Sequence, residues 1–221
     1  MKTEIKNRIA KTFSMGALLF LASCVTKPYD YGAFRQRKPR SILVLPPINK
    51  STDIRGTYSY LSTVTRPIAE QGFYVFPVAV VDAMLKENGL PGPEEMHSVS
   101  LKKITEIINP DSVMYVTVEK YGSKFQILDS NTGVQVSAKL VHTKSGDLLW
   151  QGKAFANQSA NAGQSQGGLL SMVVSAAVSQ AVNSSIDRSH ELCYVANNSL
   201  FVTKDYGLLM GPYNPKYAAD Y

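Results

Sequence analysis

Three sets of residues carry side chains with chemistry to offer. The first is Cys24, in "FLASCVTKP", residues 20–28. Ala22 and Ser23 stand just before it, and a thiol placed after small residues fits a lipobox. In chains with that pattern the leader is cut ahead of the cysteine. The sulfur then takes a diacylglycerol, and the new amino terminus takes a further acyl chain. The second set is "GQSQG", residues 163–167, which matches the Gly-x-Ser-x-Gly nucleophile elbow, with Asp187 and His190 following in hydrolase order. The third is the histidines, His97, His142 and His190.

Only the first set survives its context. An elbow needs a buried strand that runs straight into a strained turn. Here the lead-in is "FANQSANA", which is polar and small and cannot hold Ser165 rigid. Asp187 and His190 sit on or just past one expected helix, with little chain to carry them back to Ser165. The histidines are far apart, with neither Cys-x-x-Cys nor His-x-x-x-His spacing, so no metal site is expected. No glycine loop of the phosphate-cradling kind occurs. The chain therefore reads as a non-enzyme without a cofactor.

The residues around Cys24 agree with export. Lys2, Lys6, Arg8 and Lys11 face a single acid, Glu4, and an uncharged run "FSMGALLFLA" follows. That is a basic region and an apolar core of secretory length, short of the ~20 residues a transmembrane helix needs. Two acyl chains hold a protein stably on a bilayer, and three hold it permanently. Val25 follows the cysteine, where an aspartate would resemble an inner-membrane retention signal. The expected location is thus the outer membrane, on its periplasmic face or the cell surface. The formal charge is +6, but the leader accounts for half of it, which removes the argument for a nucleic-acid partner. With Cys24 acylated, Cys193 has no partner in the chain, and its apolar setting "ELCYVA" predicts burial.

Taking residues 1–23 as signal peptide leaves 198 residues, enough for one domain with a core. Residues 24–39 read as the lipidated cysteine and a tether, since "VTKPYDYGAFRQRKP" mixes charge, proline and glycine with no period. The domain spans 40–205. "SILVLPP" opens it with an apolar run suited to a strand covered on both faces. Tyr58, Leu61, Val64 and Ile68 then form a helical stripe, with Pro67 as a kink and Gly72 as its close. "FYVFP" predicts a second strand. "VVDAMLKENG" and "SLKKITEIINP" predict helices, the second capped by Ser100 with Leu101, Ile104, Ile107 and Ile108 inward.

From residue 111 the period becomes two. "SVMYVTVEKYG", "KFQILD", "TGVQVSAKLVHT" and "DLLWQGKAFA" predict strands parted by the turns "SNTG" and "KSG". Alternation in the third strand leaves one sheet face wet. Residues 169–186 predict an uncharged helix whose Ser171, Ser175, Ser179 and Asn183 recur every four, suited to close packing or an oligomer face. "SLFVT" predicts a last strand, and 206–221 a tyrosine- and proline-rich tail wrapping the surface. The fold class is α/β: a single-domain α/β sandwich, a mixed sheet with an antiparallel meander.

Two stretches carry a resemblance. "RSILVLPPINKSTDIRG" is similar to the opening strand and loop of the TolB amino-terminal domain. "VSAKLVHTKSGDLLWQGKA" resembles the strand, turn and Trp-ended strand of the curli-secretion and penicillin-binding-protein-activator lipoproteins. With Cys24 and "QGFYVFPV", the chain resembles a small outer-membrane lipoprotein family related to these, over residues 40–205. The resemblance implies a TolB-like fold and an envelope location rather than a catalytic activity.

The residues offered for partner contact are Asn49, Ser51, Thr52 and Asp53 in the loop after the first strand, and Tyr213 and Tyr217 in the tail. For the loop, local turn bonding and helix capping explain the same residue types. The expected role is a non-enzymatic module for transport, secretion or synthase regulation, with an unidentified envelope protein as partner and a homodimer or oligomer allowed. The alternative is an oligomeric secretion-pore subunit resembling the curli-secretion lipoprotein.

Overall fold

The computed structural model describes residues 29–126, 129–157, 172–174 and 188–220. One mixed sheet forms its centre. Strand β1 (Ser41–Val44) and β2 (Ile48–Asn49) are two parts of one line beside β4 (Ser112–Gln126). Proline has no N–H to give a ladder, so Pro46 and Pro47 interrupt the pairing and the register slips by one residue: Val44 faces Met114 but Ile48 faces Thr117. Strand β3 (Tyr74–Val75) runs parallel to β1 on its other side. Strands β5 (Asp129–His142) and β6 (Leu148–Asn157) complete an antiparallel meander from β4.

The continuous apolar run does mark a strand buried twice over. Ile42 and Val44 enter one core layer under helix α2 (Gly56–Glu70) and helix α6 (Arg188–Phe201). Leu43 and Leu45 enter a smaller layer under α3 (Val78–Glu87), α4 (Pro93–Ser98) and α5 (Leu101–Ile107). The larger layer takes every second residue of the meander, Val134, Val136, Ala138 and Leu140 among them. Trp150 anchors it, wholly buried, with its indole N–H donating to the Tyr206 carbonyl at 2.8 Å. Cys193 is buried there too.

Local signals mostly hold. Gly72 closes α2 at φ +92°, and Gly89 follows α3 at φ +83° while Leu90 N–H reaches back to the Leu85 carbonyl. Both are left-handed positions that favour glycine. Ser100 caps α5 through Lys103 N–H. Helix α2 runs on through Pro67, and Ile107 of α5 faces water rather than the core.

Four expectations are corrected. "SNTG" is not a turn: β4 is one strand through Gln126, Gly122 is accommodated within it, and β5 begins at Asp129. "SLFVT" is not a strand, because Leu192, Cys193, Ala196, Leu200 and Phe201 share the buried face of α6 at helical spacing. Within 169–186 the described residues Met172–Val174 form strand β7, parallel to β6, where a helix was expected. Ser171, Ser175, Ser179 and Asn183 lie outside the described residues.

The fourth concerns the tether. Residues 29–39 are docked onto the domain and include helix α1 (Gly32–Arg37). Phe34 is fully buried, meeting Tyr31 and Phe73 edge-on at centroid distances of 6.4 and 6.1 Å. Tyr29 OH accepts Gln151 N–H at 2.8 Å, and Tyr31 OH donates to the Gly207 carbonyl at 2.6 Å. The chemistry was present in "YDYGAF", but aromatic residues among charges show no period until a partner surface exists. The tail is similarly bound in: Leu208 and Leu209 are buried, and Gly211 N–H donates to the Gln71 carbonyl at 2.8 Å.

Candidate functional site

The domain has two ends, set by the direction of its strands. β1 and β4 start beside α1 and run toward the Asn49 loop, a climb of eight residues or about 26 Å. The six residues proposed for partner contact divide between these ends. Tyr213, whose N–H donates to the Gly72 carbonyl, and Tyr217 lie with α1; Asn49, Ser51, Thr52 and Asp53 lie at the far end. The fold does not bring the two groups together.

The loop is first of all a self-contained turn. Asn49 Oδ1 accepts from Ser51 N–H at 3.0 Å and Ser51 O–H at 2.7 Å, while its amide donates to the Asp53 carbonyl at 2.7 Å. Asp53 in turn accepts from the backbone and guanidinium of Arg55, and the Arg55 hydrogen bonds hold its carboxyl below the usual range. Gly56 packs so tightly on the Asn49 amide that an added Cβ would lie 2.9 Å from Oδ1. This rigid turn shows Thr52 and Ile54 to water, the latter 90 % exposed, along with the exposed side chains of Lys50 and Arg55.

The second feature is the outer face of the meander. Helices α3–α5 cover only its β1 side, so an open groove of about 880 Å3 remains between α4, α5 and strands β4–β6. Tyr115, Thr117, Ser137, Lys139, Gln151 and Lys153 form its floor, and no acid is among the described lining residues. The Lys139 ammonium sits 5.0 Å from the centre of the Tyr115 ring, a cation–π distance. His97 forms the wall, its ring edge-on to Tyr115 at 5.3 Å and Nε2 donating to the Pro46 carbonyl at 2.9 Å. Sequence reading identified a wet sheet face but not this groove, since which part of a face the helices leave bare depends on their docking.

Burial holds His97 below its ordinary pKa, with Lys139 pushing the same way and the Pro46 carbonyl opposing. The unfolded chain therefore takes up the proton first as pH falls. The stability from neutral, buried His97 is present above about pH 6.5 and is lost as pH drops below it. His142, lowered by its own burial though more exposed, adds in the same direction. Urea midpoints between about pH 7.5 and about pH 5.5 should fall, and fall less in His97→Gln. An equal fall in the variant removes His97 as the cause.

Of the residues first considered for chemistry, Cys24, Ser165 and Asp187 lie outside the described residues. His190 is engaged elsewhere: Nδ1 lies 3.0 Å from Ser59 Oγ, which also accepts from Tyr121 O–H at 2.7 Å. Its ring meets Tyr194 edge-on at 5.4 Å. This polar link joins α2, α6 and β4 and is one that 131 residues of separation conceal in the sequence. No cluster of three or more potential metal ligands occurs among the described residues, and no described helix is long and apolar enough to cross a membrane.

Comparison with known proteins places this architecture. The family model described as "Putative lipoprotein GNA1162-like" matches residues 29–213. The chain belongs to the GNA1162-like lipoprotein family. A curated relative, "Putative lipoprotein NMB1124/NMB1162" of Neisseria meningitidis, is 40 % identical over 202 residues, covering 90 % of this chain and 93 % of the relative. The crystal structure of lipoprotein GNA1162 from Neisseria meningitidis matches at 42 % identity and TM-score 0.52, over 57 % of this chain and 88 % of that one. The LpoB C-terminal domain from Salmonella enterica matches at 15 % identity and TM-score 0.40, over 62 % and 88 %, too distant to speak for function. The GNA1162-like match begins at Tyr29, whose hydroxyl meets Gln151 on the sheet.

Proposed function

We propose that this GNA1162-like lipoprotein is a non-enzymatic interaction module, fixed in the outer membrane by acyl chains on Cys24. It holds an envelope protein partner close to the lipid. Anchoring confines both proteins to one thin layer, which raises effective concentration and lets a weak contact suffice. The observation that carries this reading is the uncovered groove on β4–β6, bounded by Lys139 and Lys153, with Glu119 at its edge engaged by Ser137 and Lys50. Its cations favour a partner surface rich in carboxylates. The rigid Asn49 turn with Ile54 offers a second contact at the same distance from the membrane or beyond.

A photo-crosslinking residue at Gln151, on the groove floor, tests the proposal in intact cells. A discrete adduct is expected that disappears in Lys139→Glu/Lys153→Glu and is absent when the probe sits at exposed Ala83 on α3. No adduct from Gln151, or the same adduct from Ala83, overturns the groove as the contact surface. An adduct with a second copy of the chain makes the partner itself.

The pore reading draws on the length of the β4–β5 hairpin, whose pairing continues to Gln126 and Asp129. Its outer segment, "SKFQILDSNTG", holds three large apolar residues, Phe125, Ile127 and Leu128, and its second half, "DSNTG", holds none. A lipid-facing strand needs such residues at alternate positions over ~9–11 residues. The hairpin is better suited to contact in water.

A further inference from the structure

We propose that the end of the domain bearing α1 is a lipid-docking surface for anionic phospholipid headgroups. The inference rests on acylation of Cys24. Between Cys24 and Tyr29, which is docked on the sheet, stand only Val25, Thr26, Lys27 and Pro28. Five fully extended steps span at most about 17 Å, so α1 cannot rise far from the bilayer.

That end is built to meet it. Arg35, Arg37, Lys38 and Arg40 are all exposed, within six residues. Two of the acids nearby bond the backbone, although Arg40 Nε also lies 3.7 Å from Asp111 Oδ2, and Asp205, near Tyr31, is exposed. Asp111 Oδ2 accepts the backbone N–H groups of Arg40 and Ser41 at 2.9 and 3.1 Å, and Asp220 Oδ2 accepts Met210 N–H at 2.7 Å. Asp147 pairs with Arg37 at 2.7 Å, but both are over a third exposed, and exposed pairs exchange partners easily. Arg35, Arg37, Lys38 and Arg40 thus form an exposed basic cluster in which the carboxylates of Asp111 and Asp147 take part. Basic residues beside a lipid anchor bind anionic lipid within a Debye length of the surface.

Tyr213, 68 % exposed at this same end, is the side-chain type that settles at a membrane interface. The surface therefore adds orientation to the anchoring by Cys24: the Asn49 loop and hairpin tip are held away from the lipid.

The mature protein, labelled with a fluorophore through Gln36→Cys, is reconstituted with vesicles carrying a headgroup-level nitroxide quencher. Strong quenching is expected in phosphatidylglycerol vesicles, lost in phosphatidylcholine, at high salt, and in Arg35→Glu/Lys38→Glu. A label at Thr52→Cys stays unquenched throughout. Protein that floats with the vesicles but shows equal signal at both labels, or quenching indifferent to lipid charge and salt, overturns the docking surface while leaving the anchor intact. Protein that fails to float overturns the anchor and the docking with it. The salt series needs no charge variant, so a folding defect cannot stand in for the result.

Discussion

Phe34→Ala should lower the free energy of unfolding by about 3–5 kcal/mol, the usual range for emptying a buried phenylalanine site. The ring is completely buried in the main core layer, between Tyr31 and Phe73. If residues 24–39 were a tether, the same change would do nothing. Urea unfolding of the two proteins separates the possibilities, and a shift below about 1 kcal/mol would return α1 to the status of linker. Under the proposed acylation of Cys24, a docked α1 leaves at most four residues between the lipidated cysteine and the domain, where a tether would leave fifteen.

The second large effect is at Cys24. Carried behind an ordinary cleavable leader, Cys24→Ala should move the protein from the detergent phase to the aqueous phase, a shift of at least about tenfold. Each buried methylene contributes ~0.8 kcal/mol, and losing three chains removes far more than that ratio requires. Mass spectrometry of the unaltered protein should show an amino-terminal peptide beginning at Cys24 and heavier by its acyl groups. A free thiol there, or a variant that still partitions into detergent, would end the lipoprotein mechanism and the lipid-docking surface together.

The loop at Asn49 shows how sequence and structure divide the work. Its residue types announced a turn, and a turn is what the hydrogen bonds make. Its use as a contact surface depends on Ile54 standing out at the far end of the domain, which no local pattern expresses. The groove on β4–β6 is more extreme. Its floor residues come from three strands and its wall from α4 and α5, so proximity exists only after the sheet has assembled and the helices have settled on one side of it.

Misreadings share one cause. "SLFVT" has the composition of a strand, but Leu200 and Phe201 continue the buried stripe of α6, and tertiary burial overrides local preference. "SNTG" is good turn chemistry, but pairing of β4 with β5 carries on through it because each added row satisfies two backbones.

From the order of residues alone came the α/β class, the doubly buried first strand and the wet face of the meander, and on it alone rest the proposed leader and acylation site. These depend on short-range periodicity, charge and a cut-site pattern, all written in neighbouring residues. Docking of α1 and the tail, the two-ended geometry, the Ser59–His190 link and the bare groove came only with the tertiary structure. Each joins groups tens to more than a hundred residues apart, and their contact energy has no local signature for a linear reading to detect.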